Sequence, residues 1–193
     1  MGNISRIDHI SIAVQDPEKA KDFFIRILGA IPGAGADDAT LGFNWRILSL
    51  GDLTRVEIIS PKGEKSFLDG FLKDRQGGVH HITLETPDIG KIRALLEKEN
   101  IPYFGYFEYP GGAWKELYIH PKNAFGVLIQ IAQFDPDTML GSDARIKTGK
   151  KWEIKKNDSG VRLSMKHPGG GKTEYNLTDD EINMLIEDLE NIK

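Results

Sequence analysis

Two histidines stand at equivalent places in two similar stretches of the chain. His9 lies in RIDHISIAV, and His81 lies in GVHHITLE, 72 residues later. Glu57 and Gln130 follow the two histidines by 48 and 49 residues and interrupt the aliphatic segments RVEIIS and GVLIQI. Imidazole nitrogens combined with carboxylate or amide oxygens bind divalent ions of the first transition series. We therefore predict that these four side chains are metal ligands.

The composition narrows the choice of ligands and ion. The chain contains no cysteine, which excludes thiolate ligands, disulfides and thiol nucleophiles together. Nitrogen and oxygen ligands alone suit a divalent ion such as Co, Mn, Ni, Zn or Fe. A single histidine at the start of a strand is more often structural. The presence of a histidine at the same place in both halves is what favours a ligand.

The segments around these residues alternate between aliphatic and polar side chains, as in His9 followed by Ile10. This period of two predicts strands with an aliphatic face that packs on helices and a polar face that carries the candidate ligands. Asp16 and Asp88 follow the first strand of each half and are predicted helix N-caps. We predict an α+β fold: paired βαβββ units form a curled mixed sheet around a metal site, with a small C-terminal β-hairpin and helix extension.

Three regions are predicted along the chain. Residues 1–135 form a main domain of two βαβββ repeats, at about 6–60 and 78–134, and residues 136–150 form a linker without periodicity. Residues 151–193 form the β-hairpin and helix of the extension. A segment of about 45 residues is small for independent folding, so we expect it to dock on the main domain or on a partner subunit.

The bulk properties argue against several kinds of partner. A net charge of −4 gives no overall attraction to nucleic acid, and the cations between residues 145 and 172 are interpreted as a solvated sheet edge. No apolar segment approaches the roughly 18 residues that a membrane span requires. The first residues contain no apolar stretch typical of a signal peptide. We therefore expect a cytoplasmic protein with a small-molecule substrate.

Three sequence blocks resemble a known enzyme family. DHISIAVQDPEKAKDFF, GGVHHI and HPKNAFGVLIQI occur in the order found in methylmalonyl-CoA epimerases, which belong to the vicinal-oxygen-chelate, or glyoxalase-like, superfamily. The resemblance covers residues 6–134 and implies a homodimer with a divalent ion held by His9, Glu57, His81 and Gln130. It also implies a metal-dependent isomerase that epimerises an acyl-CoA thioester through a metal-stabilised enolate.

The chain departs from this family at the acids that move protons. Family epimerases carry a glutamate at the position of Gln130, and a second acid found in some of them falls near Trp45 and Arg46 in this chain. An amide oxygen can bind a metal ion but cannot accept a proton at neutral pH. Glu57 and Gln130 are the predicted catalytic positions, and Glu57 is the candidate base if the two halves have exchanged roles.

The residues leave other functions open. A glyoxalase-type isomerase or a lyase could act on an oxygen-chelating substrate without coenzyme A. His9, His81 and Glu57 also form the two-histidine, one-carboxylate set of non-haem iron oxygenases, although dioxygenases of the superfamily carry the acid on the last strand. A ligand-binding protein without catalytic turnover is a further alternative.

Overall fold

The computed structural model describes residues 3–51, 54–135, 150–166 and 172–192. The strands are β1 Arg6–Val14, β2 Ile31–Asp38, β3 Phe43–Ser49, β4 Arg55–Pro61, β5 Gly77–Glu85, β6 Phe104–Glu108, β7 Trp114–Ile119, β8 Ile129–Phe134, β9 Trp152–Asn157, β10 Gly160–Lys166 and β11 Lys172–Leu177. The helices are α1 Pro17–Lys21, which continues as a π-helix over Asp22–Ile27, then α2 Asp69–Leu72, α3 Ile89–Lys98 and α4 Asp179–Glu190. Single 3-10 turns cover Pro110–Gly112 and Pro121–Asn123.

The first eight strands form one mixed sheet in the order β2-β3-β4-β1-β5-β8-β7-β6. Strand β1 runs parallel to β4, and β5 runs parallel to β8. Strands β1 and β5 meet as an antiparallel pair at the centre of the sheet. Each half of the sheet is therefore one βαβββ unit with its first strand at the centre. The predicted α+β fold of paired βαβββ units in a curled mixed sheet is confirmed.

The two helices of the repeats begin at the predicted caps. The side chain of Asp16 accepts a hydrogen bond from the backbone N–H of Lys19, and Asp88 accepts one from Lys91. Such caps satisfy backbone donors that have no partner within the helix, and each is typically worth about 1 kcal/mol. Pro17 occupies the first helical position of α1, where its missing N–H costs nothing. Local sequence thus fixes where the chain turns from strand to helix in both halves.

Helices cover the outer face of the sheet in each half. Helix α3 packs on Leu117 and Ile131, and the helical segment 17–27 packs on Leu48 and Ile58. Burying each aliphatic side chain stabilises the fold by about 1.5–3 kcal/mol, so these contacts fix the register of the strands. Because side chains alternate along a strand, the residues next to them face inward.

The central strand β1 departs from the sequence prediction. Its aliphatic residue Ile10 was expected to pack on a helix, but this residue is 41% exposed. The prediction is wrong for Ile10 because α3 covers β7 and β8, and segment 17–27 covers β3 and β4. The outer face of the centre of the sheet therefore lies between the helices.

The C-terminal strands form a separate antiparallel sheet in the order β11-β10-β9. The third strand, β11, pairs with β10 and extends the predicted hairpin. Helix α4 begins with a capping box in which Thr178 and Glu181 satisfy each other's backbone N–H groups. The predicted linker, 136–150, lies outside the described residues except for its last position. None of the helices in the described ranges is long and apolar enough to cross a membrane.

Candidate active site

Three of the four predicted ligands meet on the inner face of the sheet. His9, Glu57 and His81 lie on the neighbouring strands β1, β4 and β5, where Ser11 pairs with both Glu57 and His81. The Nε2 atoms of His9 and His81 lie 3.6 Å and 3.5 Å from Glu57 Oε2. One ligand atom from each residue lies within 4.8 Å of the other two. The structure therefore brings together the two imidazoles and the carboxylate that the repeat predicts.

The arrangement of His81 fits a bound divalent ion. Nδ1 of His81 lies 3.0 Å from Nδ1 of His80, so the opposite side of the ring faces Glu57. The buried Nε2 of His81 has no hydrogen-bond partner among the described residues. An unsatisfied buried polar atom costs about 1–3 kcal/mol. An ion between this nitrogen, His9 Nε2 and the Glu57 carboxylate would remove that cost.

A buried ion pair orients His9. Nδ1 of His9 lies 2.8 Å from Oδ2 of Asp8, whose side chain is 1% exposed. The other carboxylate oxygen of Asp8 accepts hydrogen bonds from Arg55, with Nε at 3.1 Å, and from Arg6, at 3.0 Å. Burial raises the pKa of Asp8, but the hydrogen bond to His9 and the positive charge of Arg55 outweigh it and lower the pKa. Asp8 therefore stays ionised, and it directs Nε2 of His9 toward the site.

The three candidate ligands set one another's protonation. Burial lowers the pKa of His9, but hydrogen bonds with Asp8 and Glu57 and their negative charges raise it to about 9. Burial raises the pKa of Glu57, but the hydrogen bond with His9 and the charges of both histidines lower it to about 2. Burial lowers the pKa of His81 to about 4. At neutral pH the ion-free site therefore holds a protonated His9, an ionised Glu57 and a neutral His81.

Gln130 lies beside this cluster and is connected to it through Thr83. The hydroxyl of Thr83 donates to Oε1 of Gln130 at 2.5 Å, and its oxygen lies 2.8 Å from Nε2 of His9. Nε2 of Gln130 donates to Oε2 of Glu116 and to the hydroxyl oxygen of Tyr118, both at 2.8 Å. The Gln130 amide therefore bridges the candidate ligands and a second carboxylate.

Sequence reasoning missed that second carboxylate. Glu116 lies on β7, next to the strand of Gln130, and its Oε2 also accepts a hydrogen bond from Nε1 of Trp114 at 2.7 Å. Burial raises the pKa of Glu116, and hydrogen bonds lower it by less. A signal was present in WKELYI, because Glu116 and Tyr118 flank the apolar Leu117 and share a face with period two. That face could be identified as the inner one only after β7 was paired with β8.

Comparison with known proteins places this site in context. The profile of the glyoxalase/bleomycin resistance protein/dioxygenase superfamily matches residues 8–118. The chain is 35% identical over 133 residues to the mitochondrial methylmalonyl-CoA epimerase of Homo sapiens, covering 68% of this chain and 75% of that protein. It is 36% identical over 133 residues to the ethylmalonyl-CoA/methylmalonyl-CoA epimerase of Cereibacter sphaeroides, covering 67% of this chain and 98% of that protein.

Solved structures agree with this assignment at the level of the fold. The crystal structure of methylmalonyl-CoA epimerase from Mycobacterium tuberculosis superposes with a TM-score of 0.63 at 23% identity, covering 71% of this chain and 93% of that chain. A methylmalonyl-CoA epimerase in complex with methylmalonyl-CoA and NH4+ superposes with a TM-score of 0.60, also at 23% identity, covering 68% of this chain and 95% of that chain. The resemblance inferred from the sequence blocks is confirmed.

Proposed function

The chain belongs to the glyoxalase/bleomycin resistance protein/dioxygenase superfamily, and we propose that it is a metal-dependent acyl-CoA epimerase acting on methylmalonyl-CoA or a similar thioester. The observation that carries this proposal is the inward-facing group of His9, Glu57 and His81, in which one imidazole nitrogen has no partner in the described part of the chain. All three residues lie within residues 8–118, which match the superfamily profile.

The proposed ion-binding set contains four residues. His9 and His81 would bind through Nε2, and Glu57 through a carboxylate oxygen. Gln130 is the proposed fourth ligand through Oε1, which has a second lone pair besides the one that accepts from Thr83. A bound divalent ion (Co, Mn, Ni, Zn or Fe) would supply a Lewis acid that stabilises negative charge on the thioester oxygen.

Neighbouring residues keep both imidazoles in position for this role. The contact between Asp8 and Nδ1 of His9 and the contact between His80 and Nδ1 of His81 each occupy the outer nitrogen of the ring. Both Nε2 atoms therefore face Glu57. Holding ligands in place before the ion arrives lowers the cost of ordering them on binding.

Epimerisation requires a group that removes the proton next to the carbonyl. Glu57 is ionised at neutral pH and lies in the site, so its carboxylate is the proposed proton acceptor. The amide of Gln130 cannot accept a proton, and its hydrogen bonds suit a positioning role. The base in this chain is therefore assigned to Glu57 in the first half of the sheet, whereas family epimerases carry a glutamate at the position of Gln130 in the second half.

A deuterium exchange experiment tests the function. The purified protein is loaded with Co(II) and incubated in D2O with each epimer of methylmalonyl-CoA separately. Mass spectrometry measures deuterium at carbon 2, and circular dichroism follows inversion. We expect both exchange and inversion, and both should stop when a chelator removes the ion. Metal-loaded protein that binds the thioester without exchange or inversion would contradict the proposal and indicate a ligand-binding protein.

A further inference from the structure

We propose that Glu116 is the second proton-transfer residue of this site and acts on the face of the reacting carbon opposite to Glu57. This inference rests on the proposed epimerase function, because inversion needs a proton acceptor on one face of the carbon and a proton donor on the other. Gln130 cannot supply or remove that proton. The second group must therefore come from another titratable side chain on the inner face of the sheet.

Glu116 lies on the inner face of β7, in the second half of the sheet. Leu117, the next residue, is fully buried against α3 on the outer face, so strand alternation directs Glu116 inward. A chain of hydrogen bonds connects Glu116 to the candidate ligands. Nε2 of Gln130 donates to Glu116, and Oε1 of Gln130 accepts from the hydroxyl of Thr83. The same hydroxyl oxygen lies within hydrogen-bonding distance of His9 Nε2. Glu116 therefore borders the same inner space as the candidate ion.

The contacts of Glu116 differ from those of a structural carboxylate. Asp8, which is fully buried, forms salt bridges with Arg55 and Arg6. Over the ranges that the structure describes, no lysine or arginine forms a salt bridge with Glu116, and the side chains that donate to its Oε2 are the neutral Trp114 and Gln130. Even a partly buried carboxylate without a cation is costly to the fold. Such a group is expected where a reaction uses it.

The register of the sheet makes Glu116 the counterpart of Trp45. Trp45 of β3 pairs with the residue two positions after Glu57, and Glu116 of β7 pairs with the residue two positions after Gln130. At these two pairs of equivalent positions, the first half carries Glu57 and Trp45, and the second half carries Gln130 and Glu116. Each half retains one carboxylate. The exchange of roles that the sequence suggests for Glu57 thus extends to a second position.

The two carboxyl groups account for a complete proton balance. The Glu57 carboxylate takes the proton from carbon 2 of one epimer, and the C–H electron pair forms the C=C bond of an enolate with negative charge on the thioester oxygen. The protonated carboxyl group of Glu116 then donates its proton to the opposite face, and the C=C electron pair forms the new C–H bond. Glu57 ends protonated and Glu116 ionised, so the other epimer reacts by the same steps in reverse.

The test separates inversion from proton exchange in the variant Glu116→Gln. Metal-loaded wild type and variant are incubated in D2O with each epimer of methylmalonyl-CoA, and deuterium uptake and inversion are measured separately. General acid–base catalysis contributes roughly 10²–10⁴-fold, so inversion should fall by a comparable factor. Glu57 is still present, so the epimer whose proton faces it should continue to take up deuterium without inverting. A purely structural role for Glu116 would not produce this dependence on the epimer.

Two further variants complete the experiment. Glu116→Asp keeps a carboxyl group and should invert faster than Glu116→Gln. Glu108→Gln makes the same change at an exposed position on β6 and should match wild type. Metal content and thermal unfolding are measured for every variant, so that misfolding is detected.

Two results would overturn the inference while the epimerase function stands. One is inversion at the wild-type rate in Glu116→Gln. The other is loss of exchange with both epimers in this variant although it keeps its metal. A wild type that neither exchanges nor inverts would instead overturn the proposed function, and the inference with it.

Discussion

Replacing Gln130 by glutamate restores the residue that family epimerases carry, yet we expect the variant Gln130→Glu to be less stable than wild type. The amide Nε2 of Gln130 donates to Glu116 Oε2 across 2.8 Å. The substitution places a carboxylate oxygen where this donor stands. Two full negative charges at that distance repel each other by about 6 kcal/mol at an effective dielectric constant of about 20.

Protonation of one of the two carboxyl groups is the less costly alternative. Protonating a glutamate with an ordinary pKa of about 4.3 costs about 4 kcal/mol at pH 7. The folded variant therefore binds one proton more than its unfolded chain, and its stability falls as the pH rises above about 4.3. The reference is the ion-free wild type with an ionised Glu116, whose Oε2 accepts hydrogen bonds from Trp114 and Gln130. Relative to it, we expect destabilisation of about 1 kcal/mol at pH 5 and about 4 kcal/mol at pH 7.

Urea unfolding of the metal-free proteins at pH 5 and pH 7 measures this difference. Gln133→Glu is the matched control, because Gln133 lies on the same strand and accepts a hydrogen bond from the backbone N–H of Ile89 at the start of α3. A negative charge at a helix N-terminus is neutral or mildly stabilising. Two results would refute this charge repulsion between positions 130 and 116. One is equal destabilisation of Gln130→Glu at both pH values, and the other is a loss of unfolding free energy no larger than that of Gln133→Glu.

Further predictions concern metal binding and assembly. His81→Ala should abolish Co(II) binding in equilibrium dialysis because it removes the unpartnered Nε2, whereas His120→Ala, at an exposed position, should retain it. Asp8→Asn should weaken metal binding by about 10–100-fold, measured by chelator competition, since His9 loses a charged partner. Because the pKa of His9 is about 9, each bound ion should displace one proton from His9 at neutral pH. The affinity for the metal ion should therefore fall about tenfold for each unit by which the pH is lowered. A pH-independent metal affinity in calorimetry would contradict this. Light scattering tests the expected homodimer, which a monomeric mass would exclude.

The sequence alone is sufficient to predict which strands carry the candidate ligands and which way these face. Side-chain alternation depends only on the local backbone, so a period of two places His9, Glu57 and His81 opposite the aliphatic residues of their own strands. The helix caps Asp16 and Asp88 act within one turn of the chain and are confirmed for the same reason. The internal repeat then supplies the one long-range fact required, that the two halves adopt the same structure.

Only the tertiary structure determines what surrounds Gln130. Strand β5 lies between β1 and β8, which places Thr83 between His9 and Gln130, and β7 on the far side of β8 brings Glu116 to the Gln130 amide. The same strand order leaves Ile10 exposed between the two outer helices. Strand order and sheet curvature result from packing between residues distant in the chain. A periodic pattern indicates the face on which a side chain lies, whereas long-range packing determines its neighbours.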